Sequence, residues 1–236
     1  MKSKESRSLV KSVTWRAFAI LTLSMVSFLT TGDKKQTIFI TLFYHTLQIL
    51  FYYLHERIWD TIMWGKSKGL FIQMTGLSGA GKTTLARAVE SRLKDKGHMV
   101  EIIDGDEYRE GLCRDLGFSK EDRNTNIRRL GFVGKVLSRN KVITIMSAIN
   151  PYEEIRKELK KECGAKTVFV NCNIDTCIER DVKGLYKKAL SGEIKKFTGI
   201  SDPFEEPPEA DLNIDTANND LETCVDELEK FILNNI

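Results

Sequence analysis

Eight consecutive residues have the spacing of a loop that binds nucleotide phosphates. The pattern G-x-x-x-x-G-K-[ST] is matched at every fixed position by Gly76, Leu77, Ser78, Gly79, Ala80, Gly81, Lys82 and Thr83. Glycines allow a tight turn in which successive N–H groups converge on one anion, and the helix that follows adds its positive end. The lysine of such a loop reaches the β- and γ-phosphates, and the threonine hydroxyl is offered to Mg²⁺. This segment therefore predicts a nucleoside triphosphate site, which includes the adjoining Thr84, and a magnesium ligand at Thr83.

The sequence around the loop has the elements that this motif requires. Residues 70–75 form an apolar run typical of a buried strand, and residues 82–96 have the pattern of a helix. Further apolar runs of strand length alternate with helical stretches; they are residues 99–103, 141–147, 166–170 and 212–215. This alternation predicts an α/β fold, with a parallel sheet flanked by helices on both faces.

Two carboxylates, Asp104 and Asp106, follow the second predicted strand. Ligands of parallel sheets gather at the carboxyl ends of the strands, so these side chains should face the phosphate loop. They could hold Mg²⁺ through water, or position and deprotonate an attacking hydroxyl. Asp-Gly-Asp is also a common turn. We take Lys82, Asp104 and Asp106 as the candidate catalytic residues.

A cluster of arginines follows the two carboxylates. Guanidinium groups bind phosphate and sulfate through two parallel hydrogen bonds. One or two of these side chains could simply belong to a solvated helix face. Five in so short a span indicate a second, anionic substrate; they are Arg109, Arg114, Arg123, Arg128 and Arg129.

The bulk composition excludes several classes of function. The net charge of the 236 residues is +3. Five basic residues and one acidic residue in positions 1–16 give that segment +4 and leave the rest at −1, so nothing favours nucleic acid as a partner. The five cysteines are odd in number and show no CxxC spacing, which predicts reduced thiols and no zinc site.

Two uncharged apolar runs, residues 17–31 and 37–54, precede the nucleotide-binding part. A signal peptide, a soluble helical hairpin and a membrane hairpin are the three interpretations. The second run argues against a signal peptide, and the polar residues are too scattered to form one face of a soluble hairpin. We favour two transmembrane helices, although both runs are short for a span. Two domains follow from this division, a membrane hairpin at 1–64 and a nucleotide-binding domain at 65–236.

The residues that flank the runs predict the orientation of the hairpin. Trp15 and Arg16 precede the first run, and a group of aromatic residues follows the second, as at a membrane interface; they are Tyr52, Tyr53, Trp59 and Trp64. The main basic cluster lies before the first run, so the positive-inside rule places both termini in the cytoplasm. The two lysines of the connecting loop weaken this assignment. We expect a protein of the bacterial inner membrane whose nucleotide-binding domain faces the cytoplasm.

Residues 7–64 resemble a small family of predicted bacterial two-helix membrane proteins of unknown function. The motifs after residue 69 resemble those of the adenylyl-sulfate kinases, which are P-loop kinases, and they occur in that family's order up to about residue 234. Besides the loop and the Asp-Gly-Asp turn, the shared segments are residues 114–119, 126–129, 183–189 and 192–200. The Lys-Gly-Leu-Tyr-Lys-Lys and Phe-Thr-Gly-Ile segments are the most specific of them.

This resemblance implies an activity and a set of roles. The family uses ATP with Mg²⁺ to phosphorylate adenosine 5′-phosphosulfate (APS) at its 3′-hydroxyl, which gives 3′-phosphoadenylyl sulfate and ADP. Arg180 would flank the ATP adenine, Lys183 would belong to a mobile lid, and Asp106 would place the 3′-hydroxyl or the metal. The other residues implied to bind APS are Arg109, Arg114, Arg123 and Asn126, with Phe118 and Phe197 around its adenine and Ile149 lining the same pocket. A homodimer is left open.

One position departs from the family pattern. Many members have Ser-Pro-Tyr after the third strand, and that serine is a proposed site of a phosphorylated intermediate. Here the segment contains Asn150, so we expect direct in-line transfer, with Ser147 as the alternative carrier. Another small-molecule kinase and a non-catalytic nucleotide-sensing scaffold are the competing interpretations. A GTPase is disfavoured because the chain has no Asn-Lys-x-Asp motif.

Overall fold

The computed structural model describes the backbone of residues 2–61 and 69–236, and the side chains of residues 14–59 and 69–236. The chain separates into two compact units, Met1–Lys66 and Ser67–Ile236. The predicted boundary between residues 64 and 65 lies outside the described residues, as do Trp64 and the basic side chains before residue 14.

The second unit is built on a five-stranded sheet in which every pair of neighbouring strands is parallel. The order across the sheet is β2-β3-β1-β4-β5. The strands are β1 (Leu70–Thr75), β2 (Val100–Asp104), β3 (Ile143–Ser147), β4 (Lys166–Asn171) and β5 (Leu212–Asp215). All five predicted strands are confirmed within two residues at each end.

Helices connect the strands and cover both faces of the sheet. In the second unit they are α3 (Lys82–Asp95), α4 (Gly105–Glu110), α5 (Lys120–Arg139), α6 (Glu153–Cys163), α7 (Ile174–Arg180), α8 (Leu185–Leu190) and α9 (Leu221–Asn235). The longest of them, α5, begins with a reciprocal capping box between Ser119 and Asp122, which satisfies backbone N–H groups of the first turn. The predicted α/β fold is therefore confirmed.

Each face of the sheet has its own apolar core. One core joins Ile72, Met74 and Val168 to α3 and α9, and the other joins Phe71 and Met146 to α5 and α6. Packing between α5 and the sheet is so close that a Cβ on Gly134 would lie 2.4 Å from the Phe71 ring. The alternation of side chains along β1 supplies both cores, as a strand buried on two faces requires.

The first unit consists of two helices that pack against each other, α1 (Lys2–Thr31) and α2 (Lys34–Thr61). Small side chains with hydroxyl groups lie between the two helices. The hydroxyl oxygens of Ser24 and Thr41 are 3.4 Å apart, and those of Thr31 and Thr37 are also 3.4 Å apart. Large apolar side chains such as Leu21 and Phe39 are exposed along these helices. Among the described residues, one helix, Lys34–Trp59, is long and apolar enough to cross a membrane, with a mean hydropathy of 1.4.

Candidate active site

The phosphate loop connects β1 to α3 and has the predicted geometry. Gly79 and Gly81 adopt φ values of 76° and 93°, which glycine tolerates without strain. A Cβ on Gly76 would lie 2.5 Å from the carbonyl oxygen of Val170, so the loop also needs glycine for its close approach to β4. Helix α3 begins directly at Lys82. Its free N–H groups and its positive end therefore face the loop, as phosphate binding requires.

The ammonium group of Lys82 folds back onto the loop that precedes it. Its Nζ donates hydrogen bonds to the carbonyl oxygens of Gly76 (2.9 Å) and Leu77 (2.6 Å), and the residue is only 8% exposed. Burial lowers the pKa of Lys82 to about 8, because the charged form is poorly solvated there. A phosphate anion beside this group would supply the missing compensation for its charge.

Three side-chain oxygens meet at the carboxyl ends of neighbouring strands. The hydroxyl of Thr83 donates to the Asp104 carboxylate (2.8 Å) and lies 3.0 Å from the hydroxyl of Ser147. The sheet register explains the meeting, because Asp104 at the end of β2 pairs with Ser147 at the end of β3. Hard oxygen donors of this kind suit Mg²⁺, which keeps several of its waters and takes few protein ligands.

Ser147 lies next to the candidate metal ligands, because its hydroxyl belongs to the oxygen cluster around Thr83. Its role as the alternative phosphoryl carrier stays a prediction. Its place at the end of a predicted strand beside Asp104 was the available signal. In the part of the chain that the structure describes, no group of three His, Cys, Asp or Glu side chains is arranged to hold a metal ion.

Asp106 and Lys183 form an ion pair on the exposed side of this cluster. Asp106 lies in α4, whose N-cap is Asp104, and Lys183 lies in the turn between α7 and α8. The following helix is tied to the phosphate loop, because the buried Tyr186 donates from its hydroxyl to the carbonyl oxygen of Ser78 (2.9 Å). The predicted lid residue and the predicted acceptor-side carboxylate therefore contact each other.

The five arginines divide into three groups. Arg128 forms two hydrogen bonds with Glu158, and Arg129 forms two with Asp115. These two pairs support the interpretation as a solvated helix face. The guanidinium carbon of Arg109 lies over the Phe118 ring, 4.5 Å from the ring centroid. The side chain of Arg114 is exposed.

Arg123 is a buried brace between α5 and the segment after α8. Its guanidinium donates to Thr198, to the carbonyl oxygen of Lys196 (2.9 Å) and to Asp202 (3.1 Å). Its Nε donates to the carbonyl oxygen of Phe118 (3.1 Å). All of its nitrogens thus have partners within the chain, so its predicted role in substrate binding stays a prediction.

The other residues predicted to bind APS have different degrees of exposure. Phe118 is 59% exposed, whereas Phe197 is buried and packs edge-to-face on Tyr186 at 4.9 Å. Asn126 is buried and its Oδ1 has no hydrogen-bond partner among the described residues. Ile149 is half-buried. Phe118 therefore offers an accessible ring, and Asn126 retains an acceptor.

Arg180 is connected to the phosphate loop through Thr216. It donates to the carbonyl oxygen of Thr216 (2.7 Å), and the hydroxyl of Thr216 donates to the carbonyl oxygen of Ala80 in the phosphate loop (2.8 Å). No motif in the sequence marks Thr216 as part of the site. Its position directly after β5, at the carboxyl edge of the sheet, was the signal that could have identified it.

The side chain of Asn150 is buried. The residue is 1% exposed and has a φ of 46°. Its Nδ2 donates to Oε1 of Gln73 in the middle of β1 (3.0 Å), so the side chain lies beneath the loop after β3.

The pKa of Lys82 predicts how nucleotide affinity varies with pH. The protonated ammonium of Lys82 binds phosphate. The affinity for the nucleotide should therefore be highest and constant below a pH of about 8, and it should fall as the pH rises through that value. Titration of the full-length protein with a non-hydrolysable ATP analogue between pH 7.5 and 9.5 measures this. A Lys82→Arg variant is the control, because arginine stays charged over the whole range. A flat wild-type profile would contradict the account.

Comparison with known proteins places this site in a known context. The adenylylsulphate kinase family matches residues 68–215, and a family described as predicted membrane proteins, DUF2061, matches residues 9–60. The chain is 52% identical over 167 residues to an adenylyl-sulfate kinase of Rippkaea orientalis, which covers 70% of this chain and 91% of that protein. It is 53% identical over 161 residues to an adenylyl-sulfate kinase of Chloroflexus aurantiacus, with 68% and 87% covered.

A solved structure agrees with the sequence matches. The Mycobacterium tuberculosis APS kinase CysC in complex with AMPPNP and APS superposes with a TM-score of 0.68 at 36% identity, covering 71% of this chain and 99% of that one. The family match spans more than half of this chain, and the relatives share about half of their residues with it. The chain therefore belongs to the adenylyl-sulfate kinase family and is an enzyme of this type.

Proposed function

We propose that this protein transfers the γ-phosphoryl group of ATP to the 3′-hydroxyl of APS, giving 3′-phosphoadenylyl sulfate and ADP. The observation that carries the proposal is the close match of the whole second unit to adenylyl-sulfate kinases. The polar cluster supports it, because a phosphate loop, an oxygen set for Mg²⁺ and a further carboxylate lie at one edge of the sheet.

The residues of the phosphate side have clear chemical tasks. Lys82 would leave its carbonyl partners and bind the β- and γ-phosphates. Thr83 and Asp104 would hold the metal ion, with Ser147 beside them. When bound, Mg²⁺ would neutralise charge on the phosphate oxygens. Phosphoryl transfer needs positioning and charge neutralisation more than a covalent step. Direct in-line transfer is therefore the mechanism that we assign.

Asp106 serves the acceptor side of the same cluster. Its backbone N–H donates to Asp104 (2.9 Å), which fixes the start of α4, while its carboxylate projects to the exposed side and pairs with Lys183. Lys183 would move to the negatively charged substrates when the lid closes. The released carboxylate would then accept the hydrogen bond of the 3′-hydroxyl and orient it towards the γ-phosphate.

The acceptor would be held by arginine and aromatic side chains. Arg109 and Arg114 are the cations available for the phosphosulfate group, since Arg128 and Arg129 are bound to carboxylates. The exposed ring of Phe118 would stack on the adenine. Asn126 would use its unpartnered oxygen, and Ile149 and Phe197 would line the pocket. ATP would contact the whole loop from Gly76 to Thr84 and, at its adenine, Arg180.

We further propose that the predicted membrane hairpin, residues 1–64, anchors residues 65–236 to the bacterial inner membrane. Large apolar side chains of α1 and α2 are exposed. The hydroxyls of Thr22, Thr30 and Thr41 donate to backbone carbonyls three or four residues earlier, which lowers the cost of placing them in lipid. The kinase unit would face the cytoplasm, where ATP is available.

The reaction is tested with full-length protein in detergent. With Mg-ATP, we expect ADP and 3′-phosphoadenylyl sulfate to form together when APS is the acceptor, and no product with AMP or gluconate. Lys82→Ala should lose nearly all turnover. Turnover with another acceptor would indicate a different small-molecule kinase. ATP binding without turnover would indicate the non-catalytic scaffold.

The acceptor-side role is tested by Asp106→Asn, which keeps the shape and removes the charge. We expect kcat with APS to fall by about 100-fold or more, while KM for ATP changes less than about threefold because the phosphate loop is intact. Glu107→Gln, at a neighbouring exposed carboxylate on α4, is the matched control and should behave as wild type. An unchanged kcat for Asp106→Asn would remove this residue from the mechanism.

Membrane anchoring is tested by fractionation of cells that express the full chain. The protein should sediment with membranes, resist alkaline carbonate extraction and be released by detergent. Protease added to spheroplasts should leave the kinase unit intact, because that unit is cytoplasmic. Recovery of the protein in the soluble fraction without detergent would refute the anchoring.

A further inference from the structure

A buried polar network lies beneath the loop that follows β3, and none of its members has a task in the reaction described above. Its centre is the hydrogen bond from Nδ2 of Asn150 to Oε1 of Gln73 (3.0 Å). Both residues are almost completely buried, at 1% and 0% exposure. Buried polar groups are costly unless they are paired, so this contact constrains both side chains.

The orientation of the Gln73 amide is fixed by its other partners. Its Nε2 donates to the hydroxyl of Thr167 (3.0 Å) and to the carbonyl oxygen of Arg156 (2.9 Å). Because both of its N–H groups have acceptors, its oxygen is left to face Asn150, which must present its own NH₂ group. A side chain with a hydrogen-bond donor that reaches Oε1 of Gln73 is therefore what this position favours, and the Nδ2 of Asn150 supplies it.

The backbone at the same position is tied to the start of the phosphate loop. The hydroxyl of Thr75 donates to the carbonyl oxygens of Ile149 (3.1 Å) and Asn150 (3.0 Å). The N–H of Gly76 donates to the carbonyl oxygen of Ile149 (3.3 Å). The loop after β3 and the loop that binds phosphate are thus joined residue to residue.

Arg156 extends this connection to a third segment. The side chain is 2% exposed and donates to the carbonyl oxygens of Asn150 (2.8 Å) and Glu205 (2.6 Å). Its charge is balanced by Glu153 (2.9 Å). One buried guanidinium therefore fixes the loop after β3 to the segment that continues from Asp202, which Arg123 holds from the other side.

The conformation of Asn150 also favours asparagine. A φ of 46° lies in the left-handed region, which asparagine enters more readily than serine or alanine. Asparagine thus satisfies two conditions at once, the backbone angle and the hydrogen bond to Gln73.

We propose that Asn150 is a positioning residue: held by Gln73 and Arg156, it sets the place of Ile149 at the APS pocket, and its side chain carries no phosphoryl group. This inference rests on the proposed function, because Ile149 has a task only if APS binds there. In this chain, position 150 fixes the loop after β3.

The test separates the hydrogen bond from the backbone angle in full-length protein. Asn150→Gly keeps access to the left-handed region and removes the bond to Gln73, and Gln73→Leu removes the acceptor. We expect KM for APS to rise about tenfold in each, the factor that corresponds to one lost buried hydrogen bond. KM for ATP should change less than about threefold. Asn140→Gly, at an exposed residue on the end of α5, is the control and should match wild type.

A double variant tests whether the two side chains act as one unit. Asn150→Gly combined with Gln73→Leu should raise KM for APS no further than either change alone. If the rise in KM for APS in the double variant equals the product of the two single rises, the two residues act separately, and the inference is contradicted. An unchanged KM for APS in active variants, with only a lower melting temperature, would reduce the network to a structural role.

A phosphorylation assay excludes or establishes the covalent alternative. With ATP labelled at the γ-phosphate and no APS, neither wild type nor Asn150→Ser should acquire phosphoserine. A labelled serine at position 150 together with faster turnover would overturn the inference. Failure of the wild type itself to turn over APS would instead refute the proposed function, so the two failures are distinguishable.

Discussion

The hydrogen bond from Thr83 to Asp104 is the contact on which the site depends. It joins the first turn after the phosphate loop to the end of a strand that is not adjacent to β1 in the sheet. The contact exists because β3 lies between them and its last residue, Ser147, is in register with both Met74 and Asp104. A slip of one residue between these strands would turn the Asp104 side chain to the opposite face of the sheet.

Two buried arginines hold the segments around this centre. Arg123 braces the chain between residues 196 and 202 against α5, and Arg156 braces Glu205 and the loop after β3 against α6. Each is balanced by one carboxylate, Asp202 or Glu153, since an unpaired buried charge would be strongly destabilising. The planar guanidinium, with its five donors, can satisfy several carbonyls at once, which lysine cannot. Some of the positive charge around the site, that of Arg123 and Arg156, therefore stabilises the fold.

The sequence could predict what depends on local pattern. The glycine spacing of the phosphate loop, the strand runs and the carboxylates Asp104 and Asp106 at the end of the second strand each require only neighbouring residues. The structure contains all of them, although residues 105 and 106 begin a helix and do not form a turn. The roles of Arg123, Arg128 and Arg129 depend on partners 14 to 79 residues away, so residue type alone could not separate a substrate cation from a brace. Asn150 is a similar case. Its positioning role depends on a left-handed backbone conformation and on a hydrogen bond to Gln73, and no local sequence pattern indicates either of them.

We infer that the phosphate loop, the loop after β3, Asp106 and the lid that contains Lys183 form one reaction centre. A crystal structure of the full-length protein with Mg²⁺, a non-hydrolysable ATP analogue and APS tests it most directly. We expect Lys82 on the phosphates, Lys183 released from Asp106, and the 3′-oxygen within about 3.5 Å of both the Asp106 carboxylate and the γ-phosphorus. APS bound with its 3′-hydroxyl turned away from Asp106, while the Lys183–Asp106 pair persists, would contradict the claim.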